Sequence, residues 1–155
     1  MSKQTVVSGS RQMFGTNAKI RSGFDKCDDN FTELYNTVLL SFNVPAHASK
    51  VVYNVFTADQ AYVVKSLRYV PDVAAGTTLT ATVSKAVGTD TPAAATTPLH
   101  SGTINLNGTA HTAQTLTLTS TTADLSLASG NRIGIILSGA MSTGSGTLTI
   151  RLGLV

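Results

Sequence analysis

From Val51 to the C-terminus the sequence runs with a period of two, and this alternation restricts the fold more than any other feature of the chain. In Leu79-Thr80-Ala81-Thr82-Val83-Ser84 every second residue is apolar and every other one carries a hydroxyl. The pattern returns in Thr115-Leu116-Thr117-Leu118-Thr119, in Leu125-Ser126-Leu127 and in Leu148-Thr149-Ile150-Arg151-Leu152-Gly153-Leu154. Successive strand residues point to opposite faces, so these runs bury one face and leave the other in water, as antiparallel sheets do. Val51–Phe56 and Tyr62–Val70 are rich in Val and Tyr and end at turn-forming residues. Arg132-Ile133-Gly134-Ile135-Ile136-Leu137 is more continuously apolar, which predicts a central strand entered through the turn Gly130-Asn131. About eight such runs predict a mainly β fold, a jelly-roll-like antiparallel β-sandwich over residues 41–155. An up-and-down barrel is the alternative, but the connections are uneven, and the long Thr/Ala/Pro-rich stretch from Gly88 to Pro98 suits two sheets better. No internal repeat points to a solenoid or propeller.

Upstream the period changes. Residues 1–21 mix Ser, Gln, Gly and basic side chains without a sustained pattern, as an extended arm would. Residues 22–40 predict one short amphipathic α-helix. Ser22 is a good N-cap with Asp25 three residues on, and Asp25, Asp28 and Asp29 suit the positive end of the helix dipole. Phe24, Cys27, Phe31, Leu34 and Val38 recur at spacings of three or four and make one apolar stripe. Pro45 then argues against continuing helix and places a connector around Asn43–His47.

The chain has 155 residues, 42% of them hydrophobic and 12% charged, which excludes general disorder and suits one domain plus an appendage. So few charges fit either a weakly charged β domain or a surface largely covered by copies of itself or by a larger assembly. The first 24 residues hold Lys3, Arg11, Lys19 and Arg21 and no acid, but no aromatic residues alternate with them as a base-stacking platform would require. Nucleic acid is therefore not an expected partner. No stretch approaches the length of a membrane span, and no apolar segment follows a basic start as in a secretory signal. The single cysteine, Cys27, cannot form an internal disulfide and reads as a small apolar residue of the helix stripe.

The chemistry of an enzyme needs a nucleophile with its base, a carboxylate pair or a metal cluster. His47, His100 and His111 fall in three separate loop-like stretches, none at a ligand spacing from another His, Cys or acid. Asp59, Asp72, Asp90 and Asp124 stand in turn contexts, where Asp bonds its own backbone. Gly139–Gly146 is glycine-rich but lacks the Lys and following helix of a phosphate loop, and reads as a flexible hairpin loop. A non-enzymatic protein without cofactor or metal is the expectation.

Two stretches carry a resemblance. Lys26 and Asp29-Asn30-Phe31-Thr32-Glu33-Leu34-Tyr35-Asn36 match the "K-I-N-D-N-F-T-E-L-Y-N" opening of many tailed-bacteriophage virion proteins, with Cys27 and Asp28 departing from its Ile-Asn. Val55-Phe56-Thr57-Ala58-Asp59-Gln60-Ala61-Tyr62-Val63-Val64, followed later by Leu125-Ser126-Leu127-Ala128-Ser129-Gly130-Asn131-Arg132-Ile133, is similar to capsid decoration ("cement") proteins and related head structural proteins of those phages. The resemblance implies a non-enzymatic virion structural protein on the outer capsid surface, made in the bacterial host cytoplasm. Its partners would be the major capsid protein and itself, as a homotrimer, with no nucleic acid and no membrane. The contact residues it suggests are Arg11, Phe14, Lys19 and Arg21 on the arm and Phe31 and Tyr35 on the helix, with ordinary intramolecular core as the alternative for Phe31 and Leu34. The same opening also heads tail-fibre, head-fibre and receptor-binding proteins. The absence of Trp and of a coiled-coil or repetitive shaft weighs against that alternative.

Overall fold

Ten strands follow one another among the described residues of the computed structural model, which are 36–49, 51–94 and 97–155. In chain order they are β1 (Thr37–Val44), β2 (Val52–Thr57), β3 (Tyr62–Val73), β4 (Thr80–Ala86), β5 (Thr97–Pro98), β6 (Ile104–Asn105), β7 (Gln114–Leu116), β8 (Ser126–Leu127), β9 (Arg132–Leu137) and β10 (Ser145–Leu154). One sheet has the order β1-β10-β3-β7, with β8 also on β3. The other has the order β2-β9-β4-β5, with β6 also on β4. Every pairing is antiparallel. If β5 and β6 share one position, and β7 and β8 another, ten strands fill eight positions, and the chain changes sheet at nearly every connection. That winding is the jelly-roll-like sandwich the alternating pattern implied.

The registers explain why the pattern had to fold this way. Leu40, Ile150, Leu67 and Leu116 form one row across the first sheet, pairing in that order. Tyr53, Ile135 and Val83 form a row across the second. Leu67, Leu148, Ile150 and Leu152 from one sheet and Val83, Ile133, Ile135 and Leu137 from the other are buried between them. The core also takes in Leu99, Ile104 and Leu106. β9 lies between β2 and β4, as its continuous apolar run requires of a central strand.

The two long sides of the sandwich differ. On one side the sheets are stitched together by backbone bonds, Ser101 N–H to Thr117 O at 2.9 Å and Thr119 N–H to Leu99 O at 3.1 Å. On the other side the edge strands β1 and β2 are joined by side chains, with Phe42 and Tyr53 edge to face at 6.1 Å. The ends differ as well. Connections β1–β2, β3–β4, β6–β7 and β9–β10 gather at one end, where His47 N–H bonds Met141 O at 2.6 Å, Ala75 N–H bonds Leu106 O at 3.0 Å and Gly76 N–H bonds Thr143 Oγ1 at 3.0 Å. Gly144, at φ +103°, sits against the Ala75 backbone, so the glycine-rich loop expected to be flexible is tied to its neighbour. Thr37 and the C-terminus lie at the opposite end.

Two expectations need correction. Residues 37–40 were assigned to the helix and 43–47 to a connector, yet Thr37–Val44 is strand β1, paired along its whole length with β10 from Thr37↔Gly153 to Val44↔Gly146. The apolar triplet Val38-Leu39-Leu40 fits either period, and long-range pairing decides between them. The sandwich therefore starts at Thr37, not at 41. The rest of the helix segment and the arm lie outside the described residues. Leu125 also ends a helical turn, Thr122–Leu125, leaving only Ser126–Leu127 as strand. Lys85 Nζ closes that turn by donating to Ala123 O at 3.0 Å and Ser126 O at 3.1 Å.

Candidate docking face

The two segments of the pattern similar to head structural proteins, Val55–Val64 and Leu125–Ile133, meet in space. Ala58 N–H donates to Asn131 O at 2.8 Å, Gly130 N–H to Ala58 O at 2.7 Å, and Ser129 Oγ–H to Asp59 O at 3.0 Å. Asn131 is buried and its Oδ1 accepts from Ala128 N–H at 3.1 Å. Tyr62 donates its hydroxyl to Asp59 Oδ1 at 2.6 Å, which holds that carboxyl below its ordinary range and pushes the phenol up. The Phe56 and Tyr62 rings meet edge to face at 5.5 Å. The motif residues thus fasten the β2–β3 corner to the β8–β9 corner. Their work is structural.

The histidines stand apart from one another. His100 is buried, with Nε2 accepting from Val83 N–H at 3.0 Å and Nδ1 3.3 Å from Ser101 O, an arrangement that fixes a neutral ring with its proton on Nδ1. Burial holds its pKa below the ordinary value. His47 Nδ1 accepts from Ser49 N–H at 3.2 Å, and exposed His111 takes φ 61° in the β6–β7 connection. Among the described residues no three His, Cys, Asp or Glu side chains gather as metal ligands.

What distinguishes the molecule is the contrast between its outer faces. The second sheet carries a flap of its own chain. The long connection after β4 folds back so that Pro92 is buried over Gly134, where a Cβ would overlap the Pro92 ring and lie 3.2 Å from Tyr53 O. Arg132 fastens this flap, donating from Nη2 to Gly88 O at 2.8 Å and to Asp90 O. The first sheet carries no such cover among the described residues. Its outward rows run Leu39–Arg151–Ser66, Ser41–Thr149–Arg68–Thr115 and Asn43–Thr147–Val70.

Those rows are mostly hydroxyls with a few cations. Arg68 and Arg151 are exposed on them, and a bulge between Arg151 and Leu152 lets exposed Lys65 join the same face, its stem lying over Gly153. Of the described carboxylates, Asp59, Asp72 and Asp124 lie toward the ends of the sandwich and Asp90 belongs to the flap over the second sheet. Leu39 is 67% exposed on β1, and Val73, at the end of β3, is 58% exposed. The face can take up a partner at low desolvation cost, because its hydroxyls donate and accept and its charges are few.

The site residues expected from sequence cannot be set against this face. Arg11, Phe14, Lys19, Arg21, Phe31 and Tyr35 all lie outside the described residues. The residues that do form it, Lys65, Arg68, Arg151 and Leu39, were passed over. For Arg151 the signal was present, since it takes the polar phase of the Leu148–Leu154 alternation.

No protein-family model matches the sequence, and no curated protein matches it either. The fold is similar to that of a chain in the acidic stable capsid structure of Helicobacter pylori bacteriophage KHP30, with TM-score 0.50 and 15% identity over 77% of this chain and 88% of that one. Weaker likenesses join it to a chain of the infectious bursal disease virus Gx strain (TM-score 0.40, 14% identity, 76% of this chain, 31% of that one). A chain of the disulfide-linked pili of Bacillus endospore appendages is also similar (TM-score 0.33, 19% identity, 77% and 88% covered). At such identities the likeness is one of fold.

Proposed function

We propose that this chain is a virion structural protein that decorates the outer surface of a phage head as a homo-oligomer, a trimer, and holds neighbouring capsid subunits together. The observation that carries this reading is the asymmetry of the sandwich: one outer face crossed by a flap that Pro92 and Arg132 hold, the other without such a cover among the described residues, rich in hydroxyls and weakly basic. A monomer working alone in solution gains nothing from treating its two outer faces so differently. A subunit that lays one face on neighbours and turns the other to water does. The fold shared with a chain of a phage capsid structure and the virion-like opening at 26–36 favour the same conclusion.

The mechanism is linkage. A protein that binds only the assembled shell stabilises it against opening in proportion to its occupancy. In this reading the first sheet's face meets the shell or a sister subunit, and the basic arm, with Arg11, Phe14, Lys19 and Arg21, orders on the capsid surface together with Phe31 and Tyr35. The test is to image heads lacking the protein before and after adding it back, using wild type and the double reversal Arg68→Glu/Arg151→Glu. Density for the β domain on the outer capsid with wild type, and its loss with the folded reversal variant, is expected. Density only at the tail, or equal decoration by both proteins, overturns the assignment.

A further inference from the structure

Among the described residues β1 pairs along one side only, with β10, and this edge of the first sheet is built unlike one meant to stay single. Soluble proteins blunt edge strands with charges, prolines or bulges, because a bare row of N–H and C=O groups templates another strand. β1 has none of these. Its sequence, TVLLSFNV, carries no charge and no proline, and its register with β10 runs without a shift. The other sheet edges are interrupted: β2 has a bulge between Asn54 and Phe56, and β5, β6, β7 and β8 are two or three residues long. On the inward side Val38, Leu40 and Phe42 pack against the core and stay partly buried. On the outward side Leu39 is 67% exposed.

We propose that β1 pairs with β1 of a second copy of this chain, antiparallel about a two-fold axis, joining two first sheets into one. The strand is self-complementary. Centred on Ser41, the pairing sets Val38 opposite Val44 and Leu40 opposite Phe42 on the inner face. It sets Leu39 opposite Asn43, and Ser41 opposite itself, on the outer face. Every apolar inner residue meets an apolar one, and no charge faces its own image. A foreign strand selected by charge would find nothing on β1 to read, which favours the identical strand as occupant. The contact is isologous, so it closes after two copies and is compatible with a separate rotation axis elsewhere on the molecule. It does not depend on the capsid reading, since it concerns the isolated protein.

The test uses the exposed, self-opposed position. Directly opposite residues of an antiparallel pair place their Cβ atoms about 5 Å apart, so like charges there repel and opposite charges attract. Ser41→Lys and Ser41→Glu are each compared with the wild-type full chain by sedimentation over a wide concentration range. Amide hydrogen exchange is followed in parallel on the peptide covering Val38–Val44. Wild type should self-associate and protect those amides as concentration rises. Each single variant should keep its melting temperature yet associate at least tenfold more weakly, and an equimolar mixture of the two should regain both association and protection. Exchange independent of concentration in wild type overturns the proposal. So do unaltered association in both variants, failure of the mixture to recover, or protection that arises only when another protein is added.

Discussion

Tyr69→Phe should make this protein more stable, and the structure supplies the size of the effect. Tyr69 is fully buried, and its hydroxyl meets no hydrogen-bonding protein atom among the described residues. The ring lies across the backbone of Gly146, where any Cβ would overlap the phenol and approach Val70 O at 2.7 Å. A buried hydroxyl without a partner costs about 1–3 kcal/mol. Removing the oxygen leaves a void smaller than a methylene, so the packing loss stays under about 0.8 kcal/mol. A net gain of about 1 kcal/mol follows, equivalent to a Tm rise of about 3 °C for a chain of this size. The alkaline limb provides an independent check. Burial, helped by the Asp72 charge, pushes the Tyr69 phenol up to about 12. Between the ordinary tyrosine value near 10 and that point, the unfolded chain has lost a proton that the folded chain keeps, so stability falls as pH rises. The term reaches at most about 2–3 kcal/mol by pH 12. Urea titrations of both proteins at pH 7 and pH 11 read it directly: the advantage of the phenylalanine variant should widen at pH 11. A lowered Tm at pH 7, or an advantage that does not grow with pH, would show that the hydroxyl is paired or hydrated and would refute the reasoning.

Two further outcomes test other joints of the fold. Gly134→Ala puts a methyl group into the Pro92 ring, so the flap must lift and stability should drop by about 1–3 kcal/mol, with limited proteolysis cutting faster within 87–94 while the other connections stay resistant. His100 must be neutral to accept from Val83 N–H, and its depressed pKa means that its contribution is complete above the ordinary histidine value near 6.5 and is lost as pH falls below it, because the unfolded chain then takes up a proton the folded chain refuses. His100→Gln, which retains an acceptor but does not titrate, should lose less stability between pH 7 and pH 5 than wild type; equal losses by denaturant titration would mean His100 is not responsible.

The sandwich was legible because alternation is a local property that the sheets preserve. Leu148–Leu154 reads apolar and polar in turn, and β10 buries Leu148, Ile150 and Leu152 while turning Thr149 and Arg151 outward. Arg132–Leu137 reads as continuous and is central. β1 was not legible, because Val38-Leu39-Leu40 satisfies helix and strand alike and only the distant partner Ile150 selects the strand. The flap was illegible for a related reason. Nothing around Pro92 announces that it will cover Gly134, more than forty residues later in sequence, and the glycine there reads as a weakness in a strand until the proline above it is known. The docking face suffered most, since its rows collect Leu39, Arg151 and Ser66 from three separate strands, and a row across a sheet has no signature along the chain.

The placement of the charges ties these features together. A hydroxyl-rich face is a weak binder residue by residue, so its usefulness depends on being held flat and on being presented many times. The first condition is met by the long pairing of β10 with β3 over ten positions, and the proposed self-association would meet the second. Arg151 on β10 and Arg68 on β3 sit one and two strands from β1, so a copy joined through β1 would bring a second pair of cations onto the same continuous surface. Multiplying a shallow, weakly basic face across a joined sheet raises its avidity without any new kind of contact, which is the economy expected of a subunit that acts only as part of a lattice. On the proposed reading the uncharged edge and the hydroxyl-rich face act together, and losing self-pairing through Ser41→Lys should weaken attachment to the shell even though Ser41 adds only a hydroxyl to it.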